Sequence, residues 1–152
     1  MKLEALYGAR FDARDEAFKE AVWRILWRRV FSRFIGPNDV LLDLGAGYCE
    51  FTNVAVARRR IAVDLNPRTR EHAAPGVEVH LTAADRLDFL AGGEVDVAFS
   101  SNFFEHLSDK ATLSKVLSEI HRVLRPGGRL VAMGPNVRRM AGITCPFGLA
   151  SH

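Results

Sequence analysis

From Asp15 to Phe34, apolar residues recur at every fourth position: Phe18, Val22, Leu26, Val30 and Phe34. That spacing predicts a helix with an apolar stripe, which Trp23, Trp27 and Phe31 widen. Lys19, Arg24, Arg28 and Arg33 stand opposite the stripe, so the helix is basic and amphipathic. Such a helix could lie on a membrane surface, but packing of its stripe onto the chain's own sheet is the expectation. After the Gly36-Pro37-Asn38 turn the pattern changes to short apolar runs bounded by turn residues: Val40–Leu44, Arg60–Asp64, Val77–Leu81, Val95–Phe99 and Arg129–Met133. Between them fall helical stretches at Cys49–Arg58, after Pro67 and at Asp109–Leu124, with a turn near Arg86–Leu90. Strands alternating with helices predict βαβ units and a parallel sheet buried on both faces. In the last helix Ser108 is the expected N-cap. Leu113, Val116, Leu117, Ile120 and Leu124 form its buried stripe, and Pro126-Gly127-Gly128 ends it. The expected organisation is a helical segment over residues 1–36, a sheet domain over 37–135 and an irregular tail over 136–152.

Composition narrows the class. The chain has 152 residues, 48% hydrophobic and 26% charged, enough for one domain with its own core. Its net charge of +3 comes from 17 arginines and 4 lysines set against 18 acids. The arginines are spread over separate elements, a pattern that does not imply nucleic acid. Cys49 and Cys145 show neither a disulfide framework nor metal-ligand spacing, which fits a reducing cytoplasm and no metal. The N-terminus has no apolar core of a secretory signal, and no apolar run reaches membrane-spanning length.

The chemistry concentrates at strand ends. Val40–Leu44 runs into Gly45-Ala46-Gly47, a turn of small residues between a buried strand and a helix start. In a doubly wound sheet this is where a ligand approaches the backbone, although a merely tight turn would look the same. The next strand ends at Asp64, where a carboxylate offers two acceptor oxygens to a ribose diol. Capping the helix after Pro67 is the alternative role, and Asn66 is better placed for it.

Four stretches in order resemble the motifs of class I S-adenosylmethionine-dependent methyltransferases: Asp43-Leu-Gly45-Ala-Gly47, Val63-Asp64, the run from Val95 through Asn102 to Glu105-His106-Leu107, and Val123-Leu-Arg-Pro-Gly127-Gly128. The resemblance covers about Val40 to Pro135. It implies a Rossmann-like α/β fold, a doubly wound parallel sheet of order 3-2-1-4-5, with S-adenosylmethionine as cofactor. By position, Gly45, Ala46 and Gly47 would flank the methionine part of the cofactor. Asp64 would hold the ribose hydroxyls, Leu65 would pack on adenine, and Ala84 and Asp85 would meet the adenine edge. Asp43 would hold the glycine turn or reach the amino group through water, while Ser101 and Asn102 would line the methionine side and face the acceptor.

The sequence departs from the family pattern in three places. Cys49 stands where many members have a third glycine, so its side chain must point away from the cofactor. Ala83 stands where an adenine-edge aspartate would be, which offsets that role to Asp85. The family's last two strands have no counterpart before His152, so the fifth strand is expected to present an exposed edge. A truncated or fragmentary chain, a homodimer or another partner would account for that edge.

Methyl transfer from a sulfonium needs alignment more than a nucleophile. Glu105 and His106, after the fourth strand, are the candidates for a base, with a side chain bonding its own loop as the alternative role. Tyr7, Arg10 and Phe11 are placed to fold over the cofactor as a lid. A small-molecule acceptor is the expectation. Two other readings remain. One is a nicotinamide-dependent oxidoreductase, opposed by Glu50 where a dinucleotide fingerprint wants glycine. The other is a non-catalytic remnant that binds cofactor or a partner.

Overall fold

The computed structural model describes residues 13–135. Five strands alternate with helices: β1 Val40–Leu44, β2 Arg59–Asp64, β3 Val77–Leu81, β4 Val95–Ser101 and β5 Leu124–Met133, with helices α1 Ala13–Arg29, α2 Glu50–Val54, α3 Thr69–His72 and α4 Lys110–Val123. The strands form one parallel sheet in the order β3-β2-β1-β4-β5, the doubly wound arrangement expected. Side chains on β1 alternate between two cores. Leu42 and Leu44 join Ile61, Val63, Ala98 and the α4 residues Val116, Ile120 and Val123. Leu41 goes to the opposite face with Phe31, Phe51, Val97 and Phe99, beneath α1. All five β1 residues are buried, as a central parallel strand requires.

α1 and the turn after it present only part of the predicted stripe to the sheet, the part carried by Leu26 and the widening residues Trp23, Trp27 and Phe31. Trp23, Leu26 and Trp27 pack against the sheet cluster, whereas Phe18 is 71% exposed and Val22, Val30 and Phe34 also face solvent. A residue every four positions advances faster than the helical turn, so over four steps the row winds by roughly 160°. No single contact plane can hold it. The large indoles nearest the sheet are buried instead, with Trp23 5.6 Å and Trp27 6.2 Å from the Phe51 ring. The helix stops at Arg29, and a 3₁₀ turn over Phe31–Arg33 buries Phe31.

Three further boundaries shift. The helix expected over Cys49–Arg58 is only Glu50–Val54, because the chain becomes extended at Ala55 and the Arg58 N–H donates to the Asp39 carbonyl at 2.9 Å. α4 is capped by Asp109, whose carboxylate accepts the Thr112 N–H at 2.7 Å, and Ser108 donates its hydroxyl to Asp109 instead. A charged acceptor is the stronger cap. Within α4, Leu117 is exposed and Val123 is buried in the stripe.

The Arg125-Pro-Gly-Gly stretch does not simply end α4. It forms a bulge inside β5, where pairing passes from Val95↔Leu124 to Val97↔Arg129. Gly128 is required because a Cβ there would lie 2.8 Å from the Arg125 carbonyl oxygen and 3.1 Å from that of Asp96. Arg125 closes the bulge by pairing with the Asp96 carboxylate, whose other oxygen accepts the Val40 N–H at 2.7 Å. Among the described residues β5 is a sheet edge, with Leu130 and Ala132 exposed.

Candidate active site

The loop after β1 is built from left-handed residues at alternate positions: Gly45 at φ 71°, Gly47 at φ 55° and Cys49 at φ 60°. The amides of Gly45, Ala46 and Gly47 are each directed to an acceptor. Gly45 and Ala46 donate to the Val63 carbonyl at 2.9 and 3.1 Å, and Gly47 donates to Asp64 Oδ2 at 2.8 Å. Cys49 therefore has the backbone of the third glycine. Its thiol is buried with Ala46 and Ala62 and donates to the Thr69 carbonyl at 3.7 Å, pointing away from the cleft. Burial, reinforced by the Asp43, Glu50 and Asp64 charges, pushes that thiol's pKa up to about 12.

Asp64 ties the tips of β1 and β2 together. Besides the Gly47 amide it accepts the Asn66 N–H on Oδ1 at 2.8 Å, and each oxygen keeps lone-pair capacity. It does not cap the next helix. That helix begins at Thr69, and Asn66 Oδ1 accepts the Arg68 N–H at 3.0 Å. Asp43 lies beneath the loop, buried, with the Thr52 hydroxyl donating to its carboxylate. It ties β1 to α2, while the amides of the glycine turn go to Val63 and Asp64. Burial first of all, and the Asp64 and Glu50 charges secondarily, push its pKa up to about 7 against the opposing Thr52 bond.

A cleft of about 470 Å³ opens at these strand tips. Gly45, Asp64, Leu65, Ala84 and Asp85 form one wall, and Phe103, His106 and Leu107 the other. Leu65 is 72% exposed beside the Asp64 carboxylate. The segment carrying Ala84 and Asp85 is anchored from behind. Leu87 donates its N–H to Glu119 at 3.1 Å, and Arg122 donates to the Leu87 and Leu90 carbonyls at 3.0 and 2.9 Å.

Of the residues expected at the site, Gly45, Asp64, Leu65, Ala84, Asp85 and His106 line the cleft. Asp43, Ala46, Gly47, Ser101, Asn102 and Glu105 do not. Ala46 and Gly47 shape the loop from within. Asn102 is left-handed at φ 49°, and its N–H donates to the Met133 carbonyl at 2.8 Å, securing the β4 tip to β5. Its amide donates to Ser101 Oγ at 3.4 Å. Glu105 and His106, though adjacent, diverge: the Glu105 carboxylate lies by Gly134 while His106 faces the cleft. Among the described residues neither makes a side-chain hydrogen bond, so the loop-bonding alternative for them has no counterpart. Tyr7, Arg10 and Phe11 lie outside the described residues.

One residue at the site escapes sequence reasoning. A Cβ on Gly45 would sit 2.6 Å from the Phe103 ring, so this glycine makes room for a side chain of the protein itself. Phe103 is followed by a second phenylalanine, Phe104, in a short polar stretch, and nothing in the pattern signals which of the two has a long-range partner. No group of three or more His, Cys, Asp or Glu able to hold a metal occurs among the described residues.

An exposed apolar side chain beside a carboxylate with free lone pairs, in a cleft of this size, matches a ligand joining a flat base to a diol. Residues 42–132 match the family model of the methyltransferase domain. The chain belongs to the class I S-adenosylmethionine-dependent methyltransferases. An uncharacterized methyltransferase of Mycobacterium sp. (strain KMS) is 34% identical over 117 residues, covering 71% of this chain and 45% of the relative. Malonyl-[acyl-carrier protein] O-methyltransferase of Methylococcus capsulatus is 35% identical over 109 residues, covering 64% of this chain and 38% of its own length. Among solved structures, a SAM-dependent methyltransferase from Archaeoglobus fulgidus superposes with a TM-score of 0.66 at 25% identity, covering 78% of this chain and 54% of that one. The chain thus spans about half the length of the relatives it matches, and its family is not that of the nicotinamide-dependent oxidoreductases.

Proposed function

We propose that this chain binds S-adenosylmethionine in the cleft at the β1, β2 and β4 tips and serves methyl transfer to a small-molecule acceptor. The observation that carries the reading is Asp64, a carboxylate fixed by two backbone amides with acceptor capacity left over, set beside the exposed Leu65. In this reading Asp64 accepts the ribose hydroxyls and Leu65 covers one face of adenine. Ala84 and Asp85 bound the adenine edge, and the 45–47 loop borders the methionine portion. Ser101 and Asn102 hold the β4 tip on the acceptor side, and Asp43 supports the loop through α2. Bound there, the cofactor supplies an electrophilic methyl group on a sulfonium whose departing thioether is a good leaving group. His106, whose side chain has no partner among the described residues, is placed to accept a proton from an acceptor hydroxyl or amine. Glu105 would meet an acceptor only from the β5 side. The reading includes residues 37–135 as the cofactor domain, residues 1–36 as a helical segment flanking it, 136–152 as a tail, and a cytoplasmic location in keeping with the chain's sparse cysteines. The exposed edge of β5 would accept a partner strand or a second copy.

Calorimetry with S-adenosylhomocysteine tests this. Binding to the wild-type chain should raise its melting temperature by mass action. Asp64→Ala should weaken that binding by about 100-fold, the loss of charge-assisted hydrogen bonds worth about 1.5–3 kcal/mol. Asp64→Asn, which retains one acceptor oxygen for Gly47, should keep the fold and still bind poorly. Equal affinity in the variants, or tighter binding of NADH, would refute the reading.

A further inference from the structure

Two phenylalanines follow the left-handed Asn102 at the β4 tip, and the first of them decides how far the cleft extends. A Cβ built on Gly45 would lie 2.6 Å from Phe103 Cδ2, 2.9 Å from its Cγ and 3.0 Å from its Cβ. Carbon atoms that are not bonded to each other pack at about 3.5–4.0 Å. Not even a methyl group fits between Gly45 and the ring, so an aliphatic chain does not pass there either. The cleft ends accordingly. Gly45, Asp64, Leu65 and Ala84 line it, but Ala46, Gly47, Ser101 and Asn102 do not. The open half suits a base and a ribose, and the half along the rest of the glycine turn is closed by a side chain of the protein itself.

Phe103 is built to move without unmaking the tip. Its backbone is held on both sides, where the Asn102 N–H donates to the Met133 carbonyl at 2.8 Å and the His106 N–H donates to the Phe103 carbonyl at 3.0 Å. The side chain is only half-buried. It packs against the α4-side core, with its ring 5.5 Å from that of Phe104. Rotation about its Cα–Cβ bond takes the ring off Gly45 at the cost of that packing alone, and every backbone hydrogen bond of the tip survives.

We propose that Phe103 is the specificity gate of the cleft: with its ring on Gly45 the chain takes adenine nucleosides, and it takes the amino-acid half of S-adenosylmethionine only when the ring swings away. The inference rests on the reading that the cleft holds this cofactor with its ribose on Asp64. Affinity for the whole cofactor is then lowered by the fraction of chains whose ring is off Gly45. A nucleoside without the amino-acid chain escapes that reduction.

Calorimetry on the 152-residue chain with two ligands tests it: S-adenosylhomocysteine, and 5′-methylthioadenosine, which keeps adenine, ribose and the sulfur but lacks the amino acid. In Phe103→Ala, S-adenosylhomocysteine binds about fivefold tighter, because the packing of a half-buried ring no longer has to be given up. 5′-Methylthioadenosine binds as it does to the wild type. Phe103→Leu, which keeps most of the apolar volume, shifts S-adenosylhomocysteine in the same direction by less. A third measurement needs no variant to fold. In the wild-type chain the nuclear Overhauser contact between the Phe103 ring and the Gly45 α-protons is lost on adding S-adenosylhomocysteine and kept on adding 5′-methylthioadenosine. Weaker S-adenosylhomocysteine binding in both variants would make the ring a wall of the site and overturns the inference. So does an equal change for the two ligands, or a ring contact that persists with S-adenosylhomocysteine. The cofactor reading is judged separately. If the wild-type chain binds S-adenosylhomocysteine and Asp64→Ala loses it, that reading stands whichever way the Phe103 measurements fall; if the wild-type chain binds neither ligand, both fall.

Discussion

The tips of β1 and β2 and the tip of β4 border the same cleft, but hydrogen bonds are divided unequally between them. At the first, the amides of Gly45, Ala46 and Gly47 each have an acceptor, Asp64 bridges two strand ends and Asp43 is locked to Thr52. At the second, Asn102 is fixed to β5, while Glu105 and His106 extend on a 3₁₀ turn over Phe104–His106 with no side-chain hydrogen bonds among the described residues. The first tip is pre-organised, which lowers the entropic cost of holding a ligand. The second is free to be shaped by whatever acceptor the family member uses. A family that keeps one cofactor and changes its acceptors would be expected to divide rigidity in this way.

The contrast can be broken most severely at Gly45. Gly45→Ala combines a left-handed backbone with a Cβ driven into Phe103, and should cost about 2–5 kcal/mol from strain and overpacking together. Chemical denaturation measures that loss. Adding Phe103→Ala should recover the steric part, and a double-mutant cycle without coupling would mean that the two tips do not touch.

Asp43 gives the next largest effect. Its folded pKa of about 7 lies above the unfolded value of 3.8, so the native state retains a proton that the unfolded chain has released. Stability therefore falls as pH rises from about 4 to about 7 and then levels off. Asp43→Asn should remove that slope, changing the difference in stability between pH 5 and pH 8 by on the order of 2–3 kcal/mol relative to wild type. Identical pH profiles would mean that the carboxyl is ionised in the fold. Glu78, held down to about 2 by Arg59, acts in the opposite sense. Its contribution is present above its unfolded pKa and is lost as pH falls toward 2, outside the window of the comparison.

Cys49→Gly should change stability by less than about 1 kcal/mol, because relief of left-handed strain offsets the lost buried sulfur and the added chain entropy. The native thiol should resist iodoacetamide until the protein unfolds, being buried and high in pKa; rapid alkylation of the folded chain would contradict its placement. The smallest effects belong to the open tip. Glu105→Ala and His106→Ala should each alter stability by no more than about 0.5 kcal/mol and leave S-adenosylhomocysteine affinity unchanged. A lowered melting temperature in either would erase the contrast between the tips.

Much of the first tip is legible in sequence because its information is local. A buried apolar run followed by Gly-x-Gly, and a second run ending in Asp64, specify strand, turn and carboxylate within a few residues of each other. Parallel pairing then brings Leu44 opposite Val63. Cys49 as a third glycine position also reads correctly, since small size and a left-handed turn suit the same place. The orientation of α1 reads only in part, since Leu26, Trp23, Trp27 and Phe31 face the sheet while Phe18 does not. Its period of four names a stripe, but which side is buried depends on where the sheet presents Phe31, Phe51 and Phe99.

The amino-acid sequence by itself determined the succession of strands and helices, the glycine turn and the acidic strand end, while the order of the parallel sheet was implied by the family resemblance and is seen in the fold. Periodicity and turn chemistry act between near neighbours. Only the tertiary structure decided that Gly45 makes room for Phe103, that Asp64 spends part of its capacity on Gly47, that Glu105 and His106 diverge and that α1 leaves a second apolar face in solvent. Each of these depends on contacts between residues far apart in the chain, and such contacts exist only once the sheet has brought their strands together.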